Sequence, residues 1–220
     1  MRIGLYGGTF DPVHLGHVHA ALAVQDALQL DHVRMVLSAR PGHREQPSTE
    51  NAHRWEMLKL ACGEHPALIA DDSEIQRPGF SYAIDTLQQF RAAYPQAQLC
   101  WIMGMDSYLT LPTWHDWQGL VDFAHLIVVQ RPGQQSAMDK ELESFQQHFH
   151  ADSLGTSRAG SIVLLSIPMH DISATQVRCL VQSGGSAKAL LADGVSTYIN
   201  RNNLYPTSLP HSLPHKGGII

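Results

Sequence analysis

Short runs of apolar residues, separated by longer segments with helical spacing, recur along most of the chain. Several of these runs are nearly continuous in Val, Ile and Leu, which is typical of strands buried on both faces of a sheet. The pattern predicts six strands, at Arg2–Tyr6, Val33–Ser38, Leu68–Ala70, Gln98–Met103, His125–Val129 and Ile162–Ser166. Strands that alternate with helices predict an α/β fold, with a doubly wound parallel sheet of about six strands and helices on both faces.

The segments between the apolar runs carry apolar residues three and four positions apart. They predict helices at Gly16–Leu30, Thr49–Glu64, Ser81–Tyr94, Ala137–Phe149, Ser173–Gln182 and Val195–Asn202. Thr49, Ser81 and Ser173 are candidate N-caps, since their side-chain oxygens accept hydrogen bonds from free backbone N–H groups. Ser173 and Gln176 have the spacing of a capping box.

The pattern changes near the C-terminus, where Ser-Leu-Pro-His occurs twice in succession. Proline-spaced repeats cannot extend a helical core, so we predict one domain over residues 1–205 and a disordered tail over residues 206–220.

Composition narrows the classes of function. A net charge of −5 argues against a general nucleic-acid surface, which would need clustered basic residues. The three cysteines are far apart, lack CxxC spacing and are odd in number, which argues against a disulfide framework. No apolar run is long enough to span a membrane. We therefore expect a cytoplasmic protein with neither nucleic acid nor membrane as a partner. Whether it forms a homo-oligomer stays open.

The first strand leads directly into Gly7-Gly8-Thr9-Phe10-Asp11-Pro12-Val13-His14-Leu15-Gly16-His17. Glycines allow close approach of the backbone to an anion, and a helix that starts near Gly16 would aim free N–H groups at it. The two histidines can donate hydrogen bonds to developing negative charge. The segment lacks the Gly-Lys-Ser/Thr ending of a P-loop, the glycine spacing of a dinucleotide fingerprint and the further ligands of a zinc site. It predicts a phosphate-handling site.

A second polar cluster follows the last strand, at Ile172-Ser173-Ala174-Thr175-Gln176-Val177-Arg178. Alone, it indicates only a capped helix. Together with the first motif, it predicts a second anion cradle of hydroxyls and free N–H groups, with Arg178 as a charged donor.

The first motif resembles the HxGH signature of the nucleotidyltransferase superfamily, and the second resembles its ISxTxxR signature. Further segments look like bacterial nicotinate-nucleotide adenylyltransferases: Arg40–Arg44, Pro78–Tyr82, Gly104–Ser107, Leu111–Trp114 and His125–Gly133. The resemblance runs from Arg2 to Tyr205 and implies a Rossmann-like nucleotidyltransferase domain. Members of that family transfer AMP from ATP to nicotinate mononucleotide, which gives nicotinate adenine dinucleotide and pyrophosphate in NAD biosynthesis.

The resemblance also implies roles for individual residues. The catalytic residues would be His14, His17 and Arg178. The residues implied for ATP binding are Gly7, Gly8, Thr9, Phe10, Gly16, His17, Gly104, Ser173, Thr175 and Arg178. Those implied for the nicotinate nucleotide are His43, Arg44, Ala83, Ile84, Asp106, Trp114 and His115. In these roles Trp114 would stack on the pyridine ring, and backbone N–H groups near Ala83 would bind its carboxylate. Arg131 could close the pocket, although a structural ion pair is favoured there.

Two positions depart from the family pattern. Ala83 stands where close relatives often have Thr, so a side-chain contact to the substrate could be lost, and Gly42 replaces a frequent proline. No residue resembles a covalent nucleophile, so we predict direct in-line attack on the α-phosphorus of ATP. Mg²⁺ would arrive with ATP, with no metal held by the protein and no tightly bound cofactor.

Three alternatives stay open from the sequence. The acceptor could be nicotinamide mononucleotide, which differs from nicotinate mononucleotide at a single carboxylate. The chain could be another member of the superfamily, such as a phosphopantetheine adenylyltransferase or a cytidylyltransferase. It could also be a catalytically silent nucleotide-binding protein, although such a protein would be expected to lack one of the two histidines or Arg178.

Overall fold

The computed structural model describes residues 1–42, 46–130, 137–168 and 170–206. Its centre is a six-stranded parallel sheet with the spatial order β3-β2-β1-β4-β5-β6. The strands are β1 Arg2–Gly8, β2 His32–Leu37, β3 Leu68–Asp71, β4 Gln98–Gly104, β5 His125–Gln130 and β6 Ile162–Ser166. All six predicted strands are confirmed, and the order is that of a doubly wound, Rossmann-like sheet.

Helices connect the strands and continue after the last one. They are α1 Leu15–Ala27, α2 Asn51–Gly63, α3 Ser73–Gln76, α4 Ala83–Ala93, α5 Met105–Leu109, α6 Leu120–Phe123, α7 Lys140–Phe149, α8 Ala174–Gln182 and α9 Asp193–Arg201. Short 3₁₀ helices lie at Leu111–Thr113, Trp117–Gly119 and Lys188–Leu190. The predicted tail lies outside the described residues except for Pro206.

Apolar side chains cover both faces of the sheet, and successive residues of one strand serve different faces. In β4, Cys100 and Ile102 belong to the core formed with α1, α2, α8 and α9. Leu99, Trp101 and Met103 belong to the opposite core, which α4, α5, α6 and α7 cover. Because each residue of β4 is buried on one face or the other, the strand reads as a continuous apolar run.

Two predicted N-caps are wrong. Helix α2 begins at Asn51 after Glu50, and the Thr49 carbonyl accepts a hydrogen bond from the Arg54 Nε. Helix α4 begins at Ala83, and the Ser81 hydroxyl accepts from the backbone N–H groups of Ala39 and Arg40. At Ser81 a contact to another segment has therefore replaced the local cap that the sequence pattern favours. At Thr49 the helix begins one residue too late, because Glu50 occupies the N-cap position.

The boundaries near the first motif also differ from prediction. Strand β1 continues past its predicted end at Tyr6 through Gly7 and Gly8, which pair with Val36 and Leu37 of β2. Helix α1 begins at Leu15, one residue early, with His14 as N-cap, and it ends at Ala27 before Gln29 adopts a φ of 50°.

No helix in the described ranges is both long enough and apolar enough to cross a membrane.

Candidate active site

The first motif lies at the carboxyl end of β1, where the order of strands reverses between β1 and β4. Ligands of open α/β sheets bind at such a reversal. One pocket here encloses about 1260 Å³, counting space open to solvent, and is lined by the first motif and the N-terminus of α8. A second pocket of about 600 Å³ adjoins it and shares Gly7, Gly8, Thr9 and Trp114.

The two histidines of the first motif form one unit. Their rings stack with centroids 3.7 Å apart and planes inclined by 25°. The His14 backbone N–H donates to His17 Nδ1 over 3.3 Å. Because Nδ1 of His17 is therefore an acceptor, its Nε2 carries the hydrogen of the neutral ring.

Both imidazoles are held in the neutral form. Burial lowers the pKa of His14 to about 4. The pKa of His17 lies well below its ordinary value, because of burial and, to a smaller extent, because of the neighbouring His14. At neutral pH the pair therefore offers neutral N–H donors, which suit charge that develops during a reaction.

We expect acid to destabilise the fold through this pair. The unfolded chain binds protons on these residues near pH 6.5, whereas the folded chain resists protonation until about pH 4 at His14. Stability is therefore present above pH 6.5 and is lost as pH falls toward the folded pKa. For His14 the loss is about 2 kcal/mol by pH 5. Urea unfolding from pH 7.5 to 5 should show this decline, and His14→Gln, which cannot titrate, should show a shallower one. Parallel slopes would contradict the assignment.

Two glycines of the motif are required by close packing. A Cβ on Gly16 would lie 3.0 Å from His14 Nδ1, and one on Gly8 would lie 2.7 Å from the Phe10 ring. Neither position has room for a side chain unless a ring moves. The glycines therefore help to position the His14 imidazole and the buried Phe10 ring.

The second motif closes the same pocket from the other side. Ser173 caps α8, and its hydroxyl accepts a hydrogen bond of 3.1 Å from the Gln176 backbone N–H. Ser173, Ala174 and Thr175 line the pocket. The sequence-predicted N-cap is therefore confirmed, and the helix N-terminus faces the two histidines across the pocket.

Arg178 connects the two motifs. Its Nη1 donates to the Asp11 carbonyl over 2.7 Å, and its Nη2 donates to the Thr175 hydroxyl over 3.2 Å. Arg178 does not line either pocket. Its contacts in this structure hold α8 against the first motif.

A second arginine, absent from the predicted set, supports the same loop. Arg54 of α2 is 1% exposed, and its guanidinium donates to the carbonyls of Thr9 (2.7 Å), Ser38 (2.8 Å) and Ala39 (3.2 Å). It also donates to Asn51 Oδ1. The ends of β1 and β2 are thus joined through one side chain. The sequence signal was an arginine on the buried stripe of a helix, next to Met57 and Leu58.

Phe10 lies between these two supports with a φ of 47°, which is uncommon for a non-glycine residue. The carbonyl before it, of Thr9, is bound by Arg54, and the carbonyl after it, of Asp11, is bound by Arg178. A strained backbone persists where its surroundings determine it, and such residues cluster at functional sites.

The smaller pocket is aromatic. Trp114, Tyr82 and His115 line it, and the Tyr82 and His115 rings lie 4.5 Å apart. Ala83, the first residue of α4, also lines it, so the N-terminus of that helix faces the cavity.

The smaller pocket is also lined by Glu74 of α3, which was not among the predicted site residues. It is buried and accepts a 2.6 Å hydrogen bond from the Thr86 hydroxyl, which in turn accepts one from Arg77. Burial raises the pKa of Glu74, and the Thr86 hydrogen bond opposes that rise. These bonds join α3 to α4 in the wall of the smaller pocket.

The structure brings most of the predicted residues to the two pockets. The larger pocket is lined by Gly7, Gly8, Thr9, Phe10, His14, Gly16, His17, Gly104, Asp106, Trp114, Ser173 and Thr175. The smaller one adds Ala83 and His115. The Ile84 side chain is 2% exposed within the core, so the role expected of this residue stays with its backbone N–H group. His43, Arg44 and Arg131 lie outside the described residues.

The chain also matches a family model and several named relatives. A family model described as cytidylyltransferase-like matches residues 5–180. A protein of Aeromonas salmonicida named "probable nicotinate-nucleotide adenylyltransferase" is 41% identical, over 92% of this chain and 96% of its own. A protein of the same name from Stenotrophomonas maltophilia is 41% identical over 93% and 97%.

A solved structure supports the fold. The Plasmodium falciparum nicotinic acid mononucleotide adenylyltransferase complexed with NaAD superposes with a TM-score of 0.71 at 18% identity, over 95% of this chain and 99% of that one. The family model covers most of the chain, and the Aeromonas salmonicida and Stenotrophomonas maltophilia relatives cover 92% and 93% of it. The chain belongs to the nicotinate-nucleotide adenylyltransferase family of the cytidylyltransferase-like nucleotidyltransferases.

Proposed function

We propose that the protein transfers the adenylyl group of ATP to nicotinate mononucleotide, which gives nicotinate adenine dinucleotide and pyrophosphate in NAD biosynthesis. One feature of the molecule supports this reaction above others. A pocket built for phosphates adjoins an aromatic pocket, and the two share the wall Gly7–Thr9. Two substrates bound there would meet beside His14 and His17.

The larger pocket would hold ATP. In this assignment, the neutral N–H groups of His14 and His17 face the α-phosphoryl group and the leaving pyrophosphate. Ser173, Thr175 and the free N–H groups of α8 receive the outer phosphates, as helix N-termini commonly do. Arg178 acts on the same phosphates or, through its bond to Asp11, on the loop that carries the histidines.

The smaller pocket would hold the pyridine nucleotide. Trp114 would stack on the pyridine ring, and the N-terminus of α4 at Ala83 would face the nicotinate carboxylate with its free N–H groups. The replacement of a frequent Thr by Ala83 removes a hydroxyl but leaves these backbone donors in place. Contacts of His43 and Arg44 with the mononucleotide phosphate stay predictions.

The chemistry would be a direct in-line displacement. A phosphate oxygen of the mononucleotide is already anionic at neutral pH, so the attack needs no general base. The protein would contribute mainly positioning and hydrogen bonds to developing charge.

Mg²⁺ would neutralise charge on the ATP oxygens when bound. Asp106 supplies a carboxylate in the larger pocket. Within the described ranges, no group of three or more His, Cys, Asp or Glu side chains could hold a metal ion. The triphosphate would therefore supply most of the ligands, as is usual for Mg²⁺ in such reactions.

The experiment is pyrophosphate release from ATP and Mg²⁺, with nicotinate mononucleotide, nicotinamide mononucleotide and phosphopantetheine measured in parallel. We expect strong preference for nicotinate mononucleotide. Activity with only one of the other two acceptors would support adenylyl transfer but would refute nicotinate mononucleotide as the acceptor. No activity with any of the three would favour a nucleotide-binding protein without catalysis.

A further inference from the structure

A tyrosine from the far end of the described chain reaches the first motif. Tyr205 follows α9 and is 6% exposed, with its hydroxyl turned inward. That hydroxyl donates a 2.6 Å hydrogen bond to Asp11 Oδ1, across 194 positions of sequence. Neither the sequence motifs nor the proposed reaction assigns a role to this contact.

Asp11 accepts hydrogen bonds from several residues around the larger pocket, which is the proposed phosphate site. Its backbone carbonyl accepts from Arg178 over 2.7 Å, and its Oδ2 accepts from the Ser48 hydroxyl over 3.3 Å. It lines the larger pocket, directly after the left-handed Phe10 and three residues before His14. A shift of Asp11 would therefore move both the histidine loop and the Arg178 contact.

The surroundings of Tyr205 keep its hydroxyl available as a hydrogen-bond donor to Asp11. Burial and the hydrogen bond to Asp11 raise the pKa of Tyr205 far above neutral pH, so the hydroxyl keeps its proton. The negative charge of Asp11 opposes the lowering of the Arg54 pKa that burial causes. Asp11 thus lies between a tyrosine donor and two guanidinium groups.

We propose that Tyr205 is a positioning residue for the phosphate site, acting through Asp11 on the His14–His17 loop and on Arg178. This inference rests on the proposed adenylyl transfer for its kinetic consequences. Loss of the hydroxyl would leave a buried carboxylate oxygen without its donor, and Asp11 would relax toward other partners. Small displacements of reacting groups can cost up to about 10²-fold in rate.

The test compares Tyr205→Phe with Tyr198→Phe. Tyr198 of α9 is a matched control, because its hydroxyl is 3.0 Å from His53 Nδ1 and joins α9 to α2 away from both pockets. Each variant loses one tyrosine hydroxyl near the same helix. The readouts are kcat, the KM of each substrate, the Kd of pyrophosphate by calorimetry and the thermal midpoint, with kinetics measured well below both midpoints.

For Tyr205→Phe we expect kcat to fall about tenfold or more, pyrophosphate to bind several-fold more weakly, and the KM for nicotinate mononucleotide to change less than about twofold. Tyr198→Phe should keep all three values near those of the unmodified protein. Equal kcat and pyrophosphate affinity in the two variants would overturn the inference. An unmodified protein that is inactive would instead overturn the proposed function, and pyrophosphate binding would still test Tyr205.

Asp11 provides a second pair of variants, in case Tyr205→Phe does not fold. Asp11→Asn keeps an oxygen that can accept from Tyr205, whereas Asp11→Ala removes it. We expect Asp11→Ala to lose pyrophosphate affinity and turnover, and Asp11→Asn to retain most of both. Equal behaviour of Asn and Ala at this position would contradict the role of the hydrogen bond.

Discussion

Replacement of His17 by Ala should lower kcat by about 10²–10³-fold, while the Kd of ATP changes only a few-fold. The imidazole is neutral, and its Nε2–H is available because Nδ1 accepts from the His14 backbone. A preorganised neutral donor acts chiefly on charge that grows in the transition state, and the loss of one such donor has this magnitude. Single-turnover kinetics with ATP binding measured separately would distinguish the two effects.

Two further variants sharpen this test. His17→Gln can place an amide N–H near the position of Nε2, so it should retain more turnover than Ala does. His148→Ala removes an exposed imidazole on α7 and should leave kcat unchanged. Loss of ATP affinity with intact turnover in His17→Ala would contradict a transition-state role.

Replacement of Arg54 by Met should destabilise the protein by about 4 kcal/mol. The Met side chain fills similar space but donates no hydrogen bond to the carbonyls of Thr9, Ser38 and Ala39. A buried carbonyl left without its donor costs about 1–3 kcal/mol. In a domain of this size the thermal midpoint should fall by about 10 °C. Urea unfolding monitored by tryptophan fluorescence would measure the loss.

Lys59→Met is the matched control for Arg54→Met, because it removes a cation from the same helix. Lys59 forms an exposed ion pair with Glu56, and such pairs contribute about 0–1 kcal/mol. The loss of stability in Arg54→Lys should lie between those of the two Met variants, since one ammonium group cannot reach all of the carbonyls. Unfolding of the Arg54→Met and Lys59→Met variants at the same urea concentration would refute a supporting role for Arg54.

The predictions that held were those that depend on local pattern. A parallel strand buried on both faces must be apolar nearly throughout, so all six strands were visible in the sequence. The motif glycines and histidines lie at a strand end and a helix start, and their spacing places them at one edge of the sheet. The Ser173 cap held because its partner is only three residues away.

Two predicted N-caps failed, and the Ser81 cap failed because its side chain binds a distant segment. Ser81 has the local signature of an N-cap, but its hydroxyl binds the backbone N–H groups of Ala39 and Arg40, which follow β2. Local spacing holds no information on a partner some 40 residues away. The neutral state of His14 likewise depends on burial, which the motif does not reveal.

The chain's own pattern was therefore enough for the sheet, its two helical layers and the position of the phosphate motifs, because periodicity and turn chemistry act over a few residues. Arg54, Arg178 and Tyr205 became interpretable only in three dimensions. Each binds a backbone or carboxylate oxygen of the segment Thr9–Asp11 from a different part of the chain. Packing brings these donors together, since hydrogen bonds between segments up to 194 residues apart depend on the tertiary arrangement of the sheet and helices.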